Sequence, residues 1–267
     1  MQKLKLVRVN NGWKFVWDKN MYGANELFYD GIECLNAGRI KQAKEYFKKT
    51  LATFPYHIDA LHSLSEFSKS DKEAENFINA AVEIGLNSFP KNFKEKDKLE
   101  WVWLENRAFL RAYNAKALII LDRNKNEAIK MFNQMITWNP NDNQGVREIL
   151  ADEYVKSKVW DNLISLGKKY PAESMLPSFA YGLALALYKK GDKEKATKQL
   201  EKCIKQLPKC AKILLKEKPV KPKETMPRYI TIGGDDQAYE FWLEQKDAWK
   251  DKEAKRWLTE TIKEIEK

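Results

Sequence analysis

The sequence predicts an all-α fold: a right-handed solenoid of helical hairpins, with a small β-hairpin at the N-terminus and a helical cap at the C-terminus. Three observations predict it. Ala128, Phe132 and Pro140 return as Ala196, Leu200 and Pro208, each 68 residues later, which is two periods of 34. The same small, bulky, proline spacing stands at Ala43, Phe47 and Pro55. Between these marks apolar residues follow helical spacing, and glycine or proline punctuates the breaks.

The elements follow in order. Residues 1–20 read as the β-hairpin. Apolar and basic side chains alternate, Asn11-Gly12 supplies a tight turn, and Trp13, Phe15 and Trp17 share one face. A lone hairpin is marginal in water, so it is expected to pack on the first helices. Residues 21–215 carry the repeats. In the first, 24–57, Gly31 and Ala43 sit where two helices approach closely, Gly38 ends the first helix and Pro55 follows the second. A shorter pair, 58–83, has Leu61 and Leu64 on one helix and Ala74, Phe77, Ile78 and Ala81 on the next. Register then slips, because the repeats starting at 24 and 109 lie 85 residues apart, two and a half periods. The excess falls in 85–105, read as a loop and the beginning of a long helix carrying Trp101, Trp103 and Leu104.

Three units follow, 109–142, 143–176 and 177–210. In the middle one Ser174 stands where its neighbours have proline, and Pro171 ends the second helix early. The last starts at Pro177 and turns at Gly191-Asp192, with Asp192 capping the next helix. Residues 216–228 hold three prolines and form an extended linker. In the cap, 229–267, Tyr229 to Ile232 suit a short strand, and Asp235 or Asp236 caps a helix with Phe241, Trp242 and Trp249. A final helix carries Trp257, Leu258, Ile262 and Ile265. These apolar stripes need a surface, and the last repeat supplies one.

Composition narrows the function. The 267 residues are 43% hydrophobic and 12% aromatic, with nine tryptophans. No apolar run reaches the roughly 18 residues of a membrane span, and the first residues lack a signal-peptide core, so the protein is expected in the cytoplasm. Three cysteines, Cys34, Cys203 and Cys210, agree with a reducing compartment. The net charge of +10 is uneven: residues 189–228 hold 14 basic and five acidic side chains, whereas 229–267 hold seven and ten. Such a basic stretch attracts an acidic partner or nucleic acid, or is simply a solvated helix face running into a linker.

The spacing of the opening marks is that of a tetratricopeptide repeat. Residues 104–118, LENRAFLRAYNAKAL, with NPNDNQGVR at 139–147 and the C-terminal 229–258, resemble a group of bacterial tetratricopeptide proteins distantly similar to the suppressor-of-tumorigenicity family. The resemblance implies the repeat fold and a scaffold role, in a group with no assigned enzymatic activity.

Catalytic and cofactor signatures are missing from the sequence. His57 and His62 lie five apart, about 140° around a helix, and read as loop or surface histidines. Ile232-Gly233-Gly234 superficially matches a phosphate turn, but Asp235 and Asp236 would repel a phosphate. Neither a cofactor nor a metal is expected. A partner is expected instead on the concave face, through Asn25, Phe28, Tyr113, Gln144, Arg147, Tyr154, Tyr181 and Tyr188, with Asn143 joining Gln144 and Arg147. Each of these side chains has a packing reading beside the binding one. Phe28 and Ile32 stand where chaperone-tail-binding repeats place Lys and Asn, which argues against that sub-type. The function expected is a non-catalytic scaffold holding a peptide or protein segment. The alternatives are nucleic-acid association through 189–228, or an accessory subunit of a separately encoded enzyme.

Overall fold

A computed structural model describes residues 4–17, 19, 21–170, 176–223 and 229–267. The helix end expected at Pro171, the substitution at Ser174, residues 224–228 of the linker, and residues 1–3, 18 and 20 lie outside the described residues. The chain divides into two compact units, Met1–Gln144 and Gly145–Lys267.

The first unit opens with strands β1 (Lys5–Val9) and β2 (Gly12–Val16), paired antiparallel. Val9 pairs with Gly12, so the two-residue turn is Asn10-Asn11, one position earlier than the sequence suggested. Gly12 serves proximity instead: a Cβ there would lie 2.7 Å from the Lys98 carbonyl oxygen. The amides of Trp13 and Phe15 point away from β1. They donate to the Lys98 carbonyl at 2.8 Å and to Asn106 Oδ1 at 3.0 Å. The hairpin is therefore held by the 98–106 segment, far along the chain, while its apolar face also shares a core with Met21 and Ala24.

Among the described residues six helices follow in this unit: α1 (Met21–Asn36), α2 (Ile40–Thr53), α3 (Ile58–Glu66), α4 (Asp71–Leu86), α5 (Leu104–Leu121) and α6 (Lys125–Trp138). Consecutive helices pair as hairpins, α1 on α2, α3 on α4 and α5 on α6. The small residues expected at the first crossing are needed there. Ala43 is fully buried, and a Cβ on Gly31 would meet the Phe47 ring at 2.6 Å. Gly38 ends α1 in the left-handed region, φ +72°. One boundary differs from expectation: Trp101 and Trp103 precede α5 rather than belonging to it. Their rings serve as platforms for cations. Arg107 and Arg111 lie 5.3 and 5.8 Å from the Trp101 ring, and Lys14 lies 4.8 Å from that of Trp103.

The second unit holds α7 (Val146–Lys156), α8 (Trp160–Lys169), α9 (Pro177–Lys189), α10 (Lys193–Gln206), α11 (Pro208–Leu214), α12 (Asp235–Trp249) and α13 (Lys252–Ile265). Pro177 occupies the first turn of α9, and the amides that follow need acceptors. Glu148 of α7 supplies both, taking Ser178 N at 3.0 Å and Phe179 N at 2.6 Å. Asp192 caps α10 by accepting from Lys195 N at 3.3 Å, as its sequence position suggested. Pro208 does more than end α10, because it also opens the short helix α11.

Two expectations for the C-terminal segment fail. No strand forms at 229–232, and neither aspartate is the N-cap of α12. Asp236 instead accepts from Thr231 N at 2.7 Å, which draws the preceding loop onto the helix start. The apolar stripes of α12 and α13 do find the surface they need: α12 packs on α7, α9 and α11, and α13 on α10. Each unit is thus a stack of helical hairpins of the solenoid class. Among the described residues no helix is long and apolar enough to cross a membrane.

Candidate functional site

The first unit contains a cleft bounded by the hairpin, α1, the start of α3 and the start of α5. Its walls are Leu4, Phe15 and Trp17 from the hairpin and Phe28 and Tyr29 from α1. Leu104 and Ala108 come from α5. Tyr29 is 58% exposed and Leu104 60%, so two large apolar side chains stand open at the mouth.

The polar floor is fixed by His57, which is buried and directly precedes α3. Its Nδ1 accepts from the Ala60 amide at 3.1 Å, so that nitrogen carries no proton. Burial pulls the ring down to a pKa of about 4, against a smaller upward pull from Asp59, and keeps it neutral at pH 7. The proton is therefore on Nε2, which donates to Asn25 Oδ1 at 3.0 Å. This bond orients the Asn25 amide and leaves its Nδ2 as a donor for the cleft. The two carboxylates present are compensated. Arg111 Nη2 meets both oxygens of Asp59, at 2.8 and 3.0 Å, and Lys14 lies 3.4 Å from Glu105.

Of the groove residues expected from sequence, Asn25 and Phe28 come together here, with the Phe28 ring 4.9 Å from that of His57. Tyr113 does not join them. It packs 4.9 Å from Trp138 and 5.6 Å from Phe109, and burial pushes its hydroxyl up to about 12. Asn143 is exposed and accepts from Asn139 Nδ2 at 3.2 Å, and Gln144 is half-buried at the end of this unit. His57 was read from sequence as a loop or surface residue, and the structure corrects this. The available signal was its place one residue before a helix, with Ala60 three residues on, where a side-chain acceptor is needed.

In the second unit the expected groove is not open. Arg147 and Tyr154 are buried, and the Arg147 guanidinium lies 5.4 Å from the Tyr170 ring. Tyr181 is fully buried and donates its hydroxyl to the Leu207 carbonyl at 2.9 Å. Phe241 and Trp249 of α12 cover it at 5.2 and 6.3 Å. Trp257 of α13 stacks on Tyr188 at 4.3 Å, with 13° between the rings. Gln245 closes the same face, donating to Asp152 Oδ1 at 2.9 Å and to the Ser178 carbonyl at 2.8 Å. The chain's own cap fills the place offered to a partner. Gly145, just before α7, has open space around it and adopts φ +69°. It is there for its conformation.

Among the described residues no three His, Cys, Asp or Glu side chains cluster as metal ligands. Fold and cleft together define a helical-hairpin repeat protein with an aromatic-walled recess. The family is shown by the sequence as a whole: residues 13–267 match the Tcf25 model, described as transcriptional repressor TCF25, and the chain belongs to that family. The match carries the repeat protein class that the segments 104–118, 139–147 and 229–258 suggested, and it is not specific to a bacterial group. No curated protein matches the chain. Several solved structures are similar, two of them as follows. One is YrrB, a TPR protein with an unusual peptide-binding site, at 14% identity and TM-score 0.45, over 72% of this chain and 93% of that one. The other is a structure of nearly identical TPR-like repeats of a putative kinesin light chain from Podosopora anserina, at 14% identity and TM-score 0.42, over 70% and 95%.

Proposed function

We propose that the protein is a non-catalytic interaction scaffold that holds an extended segment of a partner protein in the cleft of its first unit. The observation that carries this reading is the pairing of an open apolar mouth with one oriented donor. Tyr29 and Leu104 offer exposed surface, while the His57 bond fixes Asn25 so that its Nδ2 meets an incoming backbone carbonyl. Asp59 and Glu105 already have cationic partners, so the cleft has little demand for a basic ligand. An apolar side chain seated between Phe28, Tyr29 and Leu104, with its backbone held by Asn25, fits best. The family's description as a transcriptional repressor agrees with a protein that acts by recruiting others, and we place the partner among proteins of that process.

Selection of a displayed peptide library on the purified full chain tests this. The expected winners carry a bulky apolar anchor. Their affinity falls at least about tenfold, or 1.4 kcal/mol, in Asn25→Ala and in Tyr29→Ala with Leu104→Ala. Selected peptides that bind these variants as tightly as the unaltered chain overturn the assignment.

A further inference from the structure

We infer that a row of lysines on the second unit, from α10 through α11 into the linker, is a docking surface for single-stranded nucleic acid. It uses side chains remote in sequence from the peptide cleft, so either reading can fail without the other.

Lys195, Lys198, Lys202 and Lys205 follow one another along α10 at three- and four-residue steps, Lys209 comes next on α11, and all five are exposed. On a helix that spacing puts successive side chains about 5–6 Å apart along one stripe. The opposite face of α10, Ala196, Leu200, Cys203 and Ile204, is buried. The row continues with Lys212, Lys216, Lys218, Lys221 and Lys223, again exposed. From Lys202 to Lys223 there are eight lysines and one acidic residue, Glu217. Neighbouring carboxylates engage only part of the row. Lys195 pairs with Asp192, Lys198 with Glu194, Lys209 with Asp235 and Lys212 with Glu266. All of these are solvent-exposed pairs that a phosphate displaces at small cost. Lys202, Lys205, Lys216 and Lys218 form no ion pair among the described residues.

The chemistry selects the partner. A linear array of point charges matches the repeating phosphates of a strand. The row holds no arginine for bidentate base contacts, so sequence-independent binding is expected. The ion pair of Lys209 with Asp235, at 2.9 Å, brings the loop before α12 to the row. That loop presents Tyr229, 72% exposed, as a ring on which a base can stack. Ile230 and Ile232 are exposed beside it, so a lipid surface must be tested against the nucleic acid.

The experiment measures binding of labelled oligouridine to the full chain by fluorescence anisotropy across salt. Binding is expected to weaken steeply between about 50 and 200 mM salt. Changing Lys202, Lys205, Lys216 and Lys218, all exposed, to Gln should weaken it at least about tenfold and lower the log–log salt slope by about 3. Tyr229→Ala should weaken oligouridine more than a duplex of equal length. Pairwise lysine variants, each expected to show part of the loss, decide the matter if the fourfold variant does not fold. No binding at low salt, unaltered binding by the variants, or equal binding of polyglutamate or phosphatidylserine vesicles overturns the inference.

Discussion

A buried histidine in the first unit and a half-buried aspartate in the second respond to acid in opposite directions. His57 is held down to about 4 by burial, below the 6.5 of an unfolded histidine. The unfolded chain takes up its proton first, so His57 contributes stability that is full above about pH 6.5 and is lost as the pH falls toward 4. The size is on the order of 3 kcal/mol. Asp152 is pushed up to about 7, chiefly by burial, with the Glu244 charge adding and Gln245, Ser178 and Lys156 opposing. Its contribution is full below about pH 4 and is lost as the pH rises toward 7 and past it. Hydrogen exchange of the full chain should therefore show α3 opening more readily at pH 5 than at pH 7, and α12 opening more readily at pH 8 than at pH 5. His57→Gln should flatten the first dependence and Asp152→Asn the second; slopes unchanged by these substitutions would refute the assignment. The capping place of His57 was readable from its neighbours, but the pH response of neither side chain was. A histidine beside a helix start and an aspartate on a helix look ordinary until the folded chain removes their water.

The hairpin depends on one polar side chain supplied by a helix. Asn106 is fully buried and makes three bonds: its Oδ1 takes Phe15 N at 3.0 Å, and its Nδ2 reaches the Trp13 and Glu100 carbonyls, each at 3.0 Å. Asn106→Leu leaves three backbone groups without that partner and should cost about 2–4 kcal/mol in denaturant unfolding. Loss of the Trp13 environment would appear early as a change in tryptophan emission; a variant with the stability of the parent would contradict this account. The repeats themselves were legible, because Gly31, Ala43 and the small–bulky–proline rhythm encode helix crossings directly. What misled was residue chemistry that serves two ends. Trp101 and Trp103 were expected at the beginning of a helix but act as faces for Arg107, Arg111 and Lys14 before the helix begins. Pro208 closes one helix and opens another. Glu148, which satisfies the start of α9 from a different helix, is visible only once the chain has folded.

At the scale of the whole molecule, the sequence indicated that the C-terminal stripes needed a surface and pointed to the last repeat, but not that α12 would also reach α7 and α11. They took the face where Tyr181 and Tyr188 had been expected to meet a partner, because burying Phe241, Trp249 and Trp257 outweighs leaving those rings wet. Asn25 and Phe28, by contrast, kept their place beside an open cleft. The cysteines extend this division into something measurable. Cys34 is buried in the first unit, and Cys203 and Cys210 are buried in the second, where loss of water pushes both thiols up to about 12. Almost no thiolate forms at Cys203 and Cys210 in the closed state, and burial shields Cys34 from the reagent, so alkylation waits for each unit to open. Mass-resolved labelling with a maleimide should give separate time courses for Cys34 and for the other two, with the latter pair slowing together when Asp152→Asn is examined at pH 8. The chain thus carries its own stopwatch for each half, readable without adding a probe.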